Sequence, residues 1–251
     1  MDLAPGCWLG DWIIEAPLGQ GGFGQVFRAR HATSGAAAAL KVARDRRDLR
    51  LVAVEHPGVV RTLEAHLDHD PPFLALELVP DGSLRDALRA GPLPAGRALA
   101  VVTQVAAALD HAHAQGLLHL DVKPENVLVD GGRDLYKLAD FGGPRPEADA
   151  GALAHSLRLT GDARVASTRD YAAPEVREGA GRVDRRADVY SLGVLAYELL
   201  TGRLPLGLDR PSELAPALPR AVDAALEHAL ARSPERRTLS AGALAADPAQ
   251  P

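Results

Sequence analysis

The spacing of apolar residues changes character near residue 80 of this chain. Before that point, short apolar runs bounded by glycine or proline predict strands at residues 12–18, 24–30, 37–43 and 73–79. Beyond it, apolar residues recur at helical spacing and predict helices at residues 83–90, 97–115, 185–201 and 219–232. Because strands and helices are segregated rather than alternating, we expect an α+β fold with a small antiparallel sheet followed by a larger, mainly helical part.

Composition narrows the class of protein. The chain has 251 residues, 47% hydrophobic and 24% charged, with a net charge of −5 at pH 7. This balance does not indicate nucleic acid or a membrane surface as the main partner. No apolar stretch approaches the roughly 18 residues of a membrane span, and the N-terminus lacks a secretory signal pattern. The single cysteine, Cys7, excludes an intrachain disulfide and fits a reducing compartment. From the absence of a span we expect a cytoplasmic protein.

A glycine-rich segment joins the first two predicted strands. It reads Leu18-Gly-Gln-Gly-Gly-Phe-Gly-Gln-Val26 and contains the pattern G-x-G-x-x-G. Glycines let backbone amides approach phosphate oxygens closely. A flexible turn is one alternative, and a dinucleotide-binding loop is another, but the latter requires a helix directly after the glycines. Residues 26–30 are predicted as a strand, which favours a loop between two strands that folds over phosphates.

One lysine, Lys41, lies inside the apolar stretch Ala39-Leu-Lys-Val42. Burying an ammonium group without a partner is costly, so its position needs an explanation. A bound phosphate would provide a partner. The alternative is a lysine on the solvent-facing side of an edge strand.

The polar residues with the clearest chemical meaning lie in His119-Leu-Asp-Val-Lys-Pro-Glu-Asn126 and in Asp140-Phe-Gly142. Within them, two carboxylates, one amine and one amide come from Asp121, Asp140, Lys123 and Asn126. Phosphoryl transfer needs a group that orients or deprotonates the attacking hydroxyl, a cation near the phosphoryl group, and oxygen ligands for magnesium. The segments therefore predict phosphoryl-transfer chemistry, with turns that use Asp and Asn by coincidence as the alternative.

In this order, the segments resemble the motif set of the eukaryotic-type (bacterial Hanks-type) serine/threonine protein kinases. The resemblance covers about Gly10 to Ala245 and includes the triplet Ala173-Pro-Glu175, Asp188 in a helix, and Arg237 as the expected partner of Glu175. It implies the two-lobed protein kinase fold. The implied boundaries are a lead-in at 1–9, a kinase domain at 10–245 with N-lobe 10–78, hinge 77–82 and C-lobe 83–245, and a tail at 246–251.

The resemblance also implies roles for the matching positions. Asp121 would accept the proton of the substrate hydroxyl, Lys123 would steady the γ-phosphate, and Asn126 and Asp140 would hold Mg²⁺ or Mn²⁺. Lys41 would contact the α- and β-phosphates of ATP, backbone groups of Glu77 and Val79 would bind adenine, and Ser83 would contact the ribose. The residues implied to cover the triphosphate are Leu18, Gly19, Gln20, Gly21, Gly22, Phe23, Gly24 and Val26. The Lys123-Pro-Glu-Asn loop implies a serine or threonine acceptor in a protein substrate.

Some positions depart from the family pattern. The helix glutamate that pairs with the strand lysine is missing, and Glu55 comes too late in the sequence. Asp48 is the nearest acid, so either Asp48 substitutes for the glutamate or the pair is absent. Leu120 replaces an arginine that receives a phosphate from the activation segment, so we expect activity without phosphorylation there. The long segment that follows Asp140 contains Ser156 and Thr160 as candidate autophosphorylation sites.

Two other functions compete with an active protein kinase. The missing helix glutamate favours a pseudokinase that binds nucleotide and acts as a scaffold. A small-molecule kinase of related fold is the second alternative, and the Ala173-Pro-Glu175 triplet and Arg237 argue against it because they shape a protein-substrate platform. The sequence identifies neither the protein substrate nor the oligomeric state.

Overall fold

The computed structural model describes residues 3–21, 24–46, 49, 51, 54–141, 169–179, 183–205, 207 and 209–246. It divides into two compact units. The first comprises Met1–Glu55 with Val60–Pro80, and the second comprises His56–Val59 with Asp81–Pro251. The predicted α+β class is confirmed, because an antiparallel sheet forms the first unit and helices dominate the second.

The first unit is built on one six-stranded sheet. Its strands are β1 (Trp8–Leu9), β2 (Trp12–Gly21), β3 (Gly24–His31), β4 (Ala37–Val42), β5 (Thr62–His66) and β6 (Phe73–Glu77). They run in the order β1-β2-β3-β4-β6-β5, and every neighbouring pair is antiparallel. Alternate residues of the inner strands, such as Phe27, Ala29 and Leu40, are buried, as expected for a sheet with one covered face.

The apolar pattern misses β5, because its sequence Thr-Leu-Glu-Ala-His has few apolar residues. Main-chain pairing with β6 and a polar cluster define this strand instead. The carboxylate of Glu64 accepts a hydrogen bond from the Trp12 indole at 3.0 Å and lies 2.9 Å from the ring nitrogen of His66. Hydrogen bonds from His66 and Trp12 hold the pKa of Glu64 below its ordinary value.

The second unit contains seven described helices and a two-stranded sheet. The helices are α1 (Leu84–Leu88), α2 (Ala95–Ala114), α3 (Pro174–Glu178), α4 (Arg186–Thr201), α5 (Pro211–Leu214), α6 (Ala221–Ala229) and α7 (Ala241–Ala245). The sheet pairs β7 (Val127–Asp130) with β8 (Leu135–Leu138), and one-turn 3₁₀ helices occupy Pro124–Asn126 and Pro234–Arg236. Among the described residues, no helix combines the length and the apolar character needed to cross a membrane.

Helix α4 is the central element of this unit. Nearly every residue from Ala187 to Leu199 is buried, which explains why the sequence there reads as an almost continuous apolar run. The helix ends at Gly202, whose φ of 71° is a left-handed conformation that glycine adopts without steric cost. Asp188 is fully buried within this apolar helix, so its carboxylate requires hydrogen-bonding partners.

Candidate active site

The loop before β7 brings three of the predicted site residues together. The Lys123 ammonium lies 2.8 Å from Oδ1 and 2.9 Å from Oδ2 of Asp121. The side-chain nitrogen of Asn126 donates to the main-chain oxygen and to Oδ2 of Asp121, both at 2.8 Å. The side chain of Asp121 is 35% exposed, against 11% for Lys123. The loop therefore holds the Asp121 carboxylate in one orientation, with part of its side chain exposed.

Asp188 anchors this loop from α4. Its carboxylate accepts hydrogen bonds from the backbone N–H groups of His119 at 2.9 Å and Leu120 at 2.7 Å, and it lies 2.8 Å from Nε2 of His113. These bonds hold Leu120 at a φ of 62°, which is unfavourable for a residue with a side chain. Burial alone would raise the pKa of Asp188, but the hydrogen bonds from His113 and the backbone lower it. The carboxylate thus stays charged and fixes the backbone ahead of Asp121.

His119 connects the loop to the segment that carries Asp140. Its Nδ1 accepts from the N–H of Asp121 at 3.2 Å, and its Nε2 lies 3.0 Å from the main-chain oxygen of Ala139. Since a carbonyl only accepts, the ring carries its hydrogen on Nε2. The centre of the ring also lies 4.6 Å from the centre of the Phe141 ring, in an edge-to-face arrangement. His119 therefore has a structural role between the two segments.

The two predicted metal ligands come from adjacent strand ends. The pairing of β7 with β8 places Asn126 beside Ala139, whose N–H donates to the main-chain oxygen of Asn126 at 2.8 Å. Asp140 follows, exposed and at a φ of 60°. Because the amide nitrogen of Asn126 points to Asp121, its amide oxygen points away. A carboxylate and an amide oxygen suit Mg²⁺ or Mn²⁺, which complete their coordination with water and substrate phosphates.

In the first unit, Lys41 lies on an inner strand. Strand β4 is paired on both sides, and Lys41 stands opposite Val26 of β3 and Leu74 of β6. The alternative of an edge-strand lysine is therefore wrong. The described part of the glycine-rich segment lies in the paired ends of β2 and β3, since β2 extends to Gly21, three residues beyond the predicted strand, and β3 begins at Gly24.

Arg237 and Glu175 form the predicted pair. Two guanidinium nitrogens of Arg237 each donate to one oxygen of Glu175 at 2.7 Å, a bidentate geometry. The same group also donates to the main-chain oxygens of Ala231, Arg232 and Arg186. The Arg237 side chain is fully buried, so this pair fixes α3 to the segment around Pro234–Arg236.

Residues 12–248 match the family model described as the protein kinase domain. This chain is a member of the protein kinase family. It is 36% identical over 277 residues to the serine/threonine-protein kinase PknJ of Mycobacterium bovis, covering 97% of this chain and 46% of that protein. It is 37% identical over 236 residues to the serine/threonine-protein kinase pkn2 of Myxococcus xanthus, covering 86% of this chain and 28% of that protein. The kinase domain thus spans less than half the length of these relatives.

Solved structures agree with the kinase fold. The crystal structure of the Mycobacterium tuberculosis PknI kinase domain matches with a TM-score of 0.74 and 30% identity, covering 98% of this chain and 97% of that one. The predicted protein kinase fold, with an antiparallel-sheet N-lobe and a helical C-lobe, is therefore confirmed.

Several predicted positions of the kinase domain gain no direct support. The N–H of Glu77 donates to the main-chain oxygen of Arg61 at 2.8 Å, so an adenine contact at Glu77 would have to use its carbonyl. The predicted adenine contact at Val79 also remains a prediction. The predictions for Gly22, Phe23, Asp48, Ser156 and Thr160 fall outside the described residues.

Ser83 has a local role in addition to the predicted one. It is the N-cap of α1 in a capping box, in which the N–H of Asp86 donates to the Ser83 hydroxyl and the N–H of Ser83 donates to Oδ2 of Asp86 at 3.0 Å. The Ser83 hydroxyl also donates to Oδ2 of Asp86 at 2.7 Å. Hydrogen bonds from Ser83 lower the pKa of Asp86. The predicted ribose contact would therefore have to share this hydroxyl with Asp86, and it remains a prediction.

His113 is a residue whose role the sequence patterns do not reveal. Its side chain is only 4% exposed and it supports Asp188, 75 residues further along the chain. Its separation of two residues from His111 places the two rings on different sides of α2. That spacing argues against a shared metal, but it carries no information about a partner on another helix.

Two glycines of the hairpin allow a test that separates folding from ligand binding. A Cβ on Gly24, at a φ of 151°, would lie 2.0 Å from the main-chain oxygen of Val42, whereas a Cβ on Gly19 would meet nothing within 4 Å. We expect Gly24→Ala to lower the free energy of unfolding by about 2 kcal/mol, because backbone must move. Gly19→Ala is expected to change it by less than about 0.5 kcal/mol while weakening nucleotide binding. Denaturation and nucleotide titration of both variants check this, and equal effects on unfolding would contradict it.

Acid is expected to destabilise the kinase domain through carboxylates with lowered pKa values. Glu64, Asp86, Asp184 and Asp188 all have folded pKa values below their ordinary ones. Their contribution is complete above the unfolded value of about 4 and is lost as the pH falls through the lower folded values. Asp184 is paired with Arg186 at 2.7 Å, so Asp184→Asn should make the acid-side loss of melting temperature shallower. If the melting temperature of Asp184→Asn fell with pH as steeply as that of the unmodified chain, Asp184 would be excluded as a contributor to the acid sensitivity.

Proposed function

We propose that this chain is a serine/threonine protein kinase that uses ATP with Mg²⁺ or Mn²⁺ and transfers the γ-phosphate to serine and threonine hydroxyls of proteins, the chain itself being one candidate acceptor. The observation that carries the proposal is the arrangement of Asp121, Lys123 and Asn126 on a backbone fixed by Asp188. Such an arrangement supplies positioning and charge, which dominate catalysis of phosphoryl transfer.

Asp121 would orient the acceptor hydroxyl and take up its proton. Its carboxylate is held through Oδ2 by Asn126 and by the ammonium of Lys123, so it is already oriented before a substrate binds. Lys123 carries a positive charge next to this carboxylate and would offset the charge of the transferring phosphoryl group. A bound Mg²⁺ would neutralise phosphate charge, and Asn126 and Asp140 are the residues that would hold it.

The acceptor class rests on two further features. The Lys123-Pro-Glu-Asn126 loop is of the serine/threonine type, and the relatives are named serine/threonine-protein kinases. The buried Arg237–Glu175 pair fixes α3 directly after residues 171–173. This rigid segment supports a surface for a protein acceptor, which argues against a small-molecule substrate.

A panel of acceptor peptides that differ only at the acceptor residue tests the proposal. We expect label transfer from γ-labelled ATP to the serine and threonine peptides and none to the tyrosine or alanine peptides. Transfer should require Mg²⁺ or Mn²⁺ and cease when a chelator removes the metal. Transfer that prefers tyrosine would contradict the acceptor class, and nucleotide binding without any transfer would favour a scaffold.

Leu120 leads to an expectation about regulation of this activity. Its side chain packs against an apolar cluster, in which the buried members are Leu118, Ala172, Ala173, Val176, Val183 and Ala187. An apolar side chain in this setting cannot form a charge-assisted bond with a phosphate. We therefore expect phosphatase-treated protein to retain the activity of untreated protein. Loss of activity on dephosphorylation, restored by preincubation with ATP, would show the expectation to be wrong.

A further inference from the structure

The second unit contains a charged network that the proposed mechanism does not use. It comprises Arg85 on α1, Glu125 in the turn between Lys123 and Asn126, Tyr171 ahead of α3, and Glu198 on α4. We call these four residues the Arg85 cluster. They come from four separate segments of the chain, and Arg85 and Glu198 are 113 positions apart.

Arg85 donates to each of the other three members. Its Nε lies 2.9 Å from Oε1 of Glu125, its Nη1 lies 2.7 Å from Oε1 of Glu198, and its Nη2 lies 2.7 Å from the Tyr171 hydroxyl. The Tyr171 hydroxyl in turn donates to Oε2 of Glu198. A planar guanidinium with donors in fixed directions can join several acceptors in this way, whereas a lysine ammonium cannot reproduce the geometry.

Burial makes the cluster sensitive to loss of its cation. Glu198 is 9% exposed at its side chain, and Tyr171 is 3% exposed. Burial alone would lower the pKa of Arg85, but hydrogen bonds to Glu198 and Glu125 raise it, so the guanidinium stays charged. Without Arg85, the poorly solvated carboxylate of Glu198 would lose its neutralising charge.

Glu125 connects the cluster to the loop before β7 that carries Asp121, Lys123 and Asn126, called the catalytic loop below. It is the middle residue of the 3₁₀ turn Pro124–Asn126, which is closed by a hydrogen bond from the N–H of Asn126 to the main-chain oxygen of Lys123 at 3.0 Å. A shift of Glu125 would therefore move the turn that joins Lys123 to Asn126. The side chains of Lys123 and Asn126 are the two that contact the Asp121 carboxylate.

We propose that Arg85 is a positioning residue for phosphoryl transfer: through Glu125 it sets the turn that carries Lys123 and Asn126, while Glu198 and Tyr171 hold Arg85 itself in place. This inference rests on the proposed kinase function. The competing explanation is that the cluster stabilises the fold through Arg85, Tyr171 and Glu198 and that its contact with Glu125 has no consequence for catalysis.

The variants Glu125→Gln, Arg85→Gln and the double variant distinguish these explanations. Glu125→Gln removes the charge that links Arg85 to the turn and leaves the contacts with Glu198 and Tyr171. If Arg85 acts through Glu125, either single change lowers kcat by about tenfold, since small displacements of catalytic groups have large effects on rate. The double variant should then resemble Arg85→Gln rather than show the product of the two losses. KM for ATP should remain unchanged.

Arg186→Gln is the matched control. Arg186 is also a partly buried arginine, 24% exposed at its side chain; it bonds to Asp184 and to the main-chain oxygen of Pro234, and it does not contact the catalytic loop. We expect this variant to lose melting temperature but keep its kcat when it is assayed while folded.

The measurement is kcat and KM for a serine peptide and for ATP, with melting temperatures recorded for every variant. If Arg85→Gln does not fold, Glu125→Gln alone distinguishes the positioning role from the structural one, because it preserves the rest of the cluster. Unchanged kcat in folded Glu125→Gln, beside an active unmodified chain, would overturn the positioning role of Arg85 and leave the kinase function intact. An unmodified chain with no transfer would overturn the kinase function itself, and the role of Arg85 with it.

Discussion

Asp121→Asn is expected to lower the rate of phosphate transfer by roughly 10²–10⁴-fold, the usual contribution of a positioned acid–base group. Asparagine has the same shape, and its amide oxygen can still accept a hydrogen bond from Lys123 or Asn126. It cannot take up the proton of the acceptor hydroxyl. Because the side chain is 35% exposed and asparagine keeps its shape, the fold should persist. Initial rates and thermal unfolding of the same preparation check both parts.

Asp134→Asn is the matched control for this prediction. It makes the same chemical change in the turn between β7 and β8, at an exposed residue with a φ of 51° that asparagine tolerates well. We expect it to keep the full rate. A loss equal to that of Asp121→Asn would indicate a general effect of charge, and full activity in Asp121→Asn would remove Asp121 from the mechanism.

Arg237→Ala is expected to lower the free energy of unfolding by about 3–5 kcal/mol, the range for breaking a buried ion pair from one side. The Glu175 carboxylate, 10% exposed, would be left without its bidentate partner. Three main-chain oxygens would lose a donor, and the Tyr190 ring would lose the guanidinium that lies 5.0 Å from its centre. Denaturant titration with and without the substitution measures the difference.

Two comparisons make this prediction specific. Arg232→Ala breaks an exposed pair with Glu178, whose side chains are 83% and 52% exposed, and should cost no more than about 1 kcal/mol. Combining Arg237→Met with Glu175→Gln should be less harmful than Arg237→Met alone, because no unpaired charge remains buried. If Arg237→Ala destabilises no more than Arg232→Ala, the pair is not a structural anchor.

The sequence predicts an element best where the element's own residues mark its burial and its end. Helix α4 is predicted almost to the residue because its apolar run and Gly202 mark both its burial and its end. Helix α2 begins at Ala95, two residues before the predicted start and directly after its N-cap residue Pro94. Strand β5 is missed because partners from other strands, Trp12 among them, define it rather than its own apolar residues.

The same distinction applies to the site. Asp121, Lys123 and Asn126 are found from sequence because one short loop carries them, and their contacts are between residues two to five positions apart. His113 and Arg85 are not found, since their partners are 75 and 113 positions away. Spacing along a chain reports on helix faces and turns. It does not report which buried charges will meet after folding. The distant pair of Arg237 and Glu175 is predicted through the family resemblance instead, whereas His113 and Arg85 require the structure.

The most direct test of the central claim is a single-turnover reaction of the unmodified chain with γ-labelled ATP and Mg²⁺, followed by identification of the residue that carries the label. We predict label on serine or threonine of a protein acceptor, formed only in the presence of the metal. Bound nucleotide with no labelled serine or threonine above the metal-free reaction would contradict the claim that this kinase domain transfers phosphate.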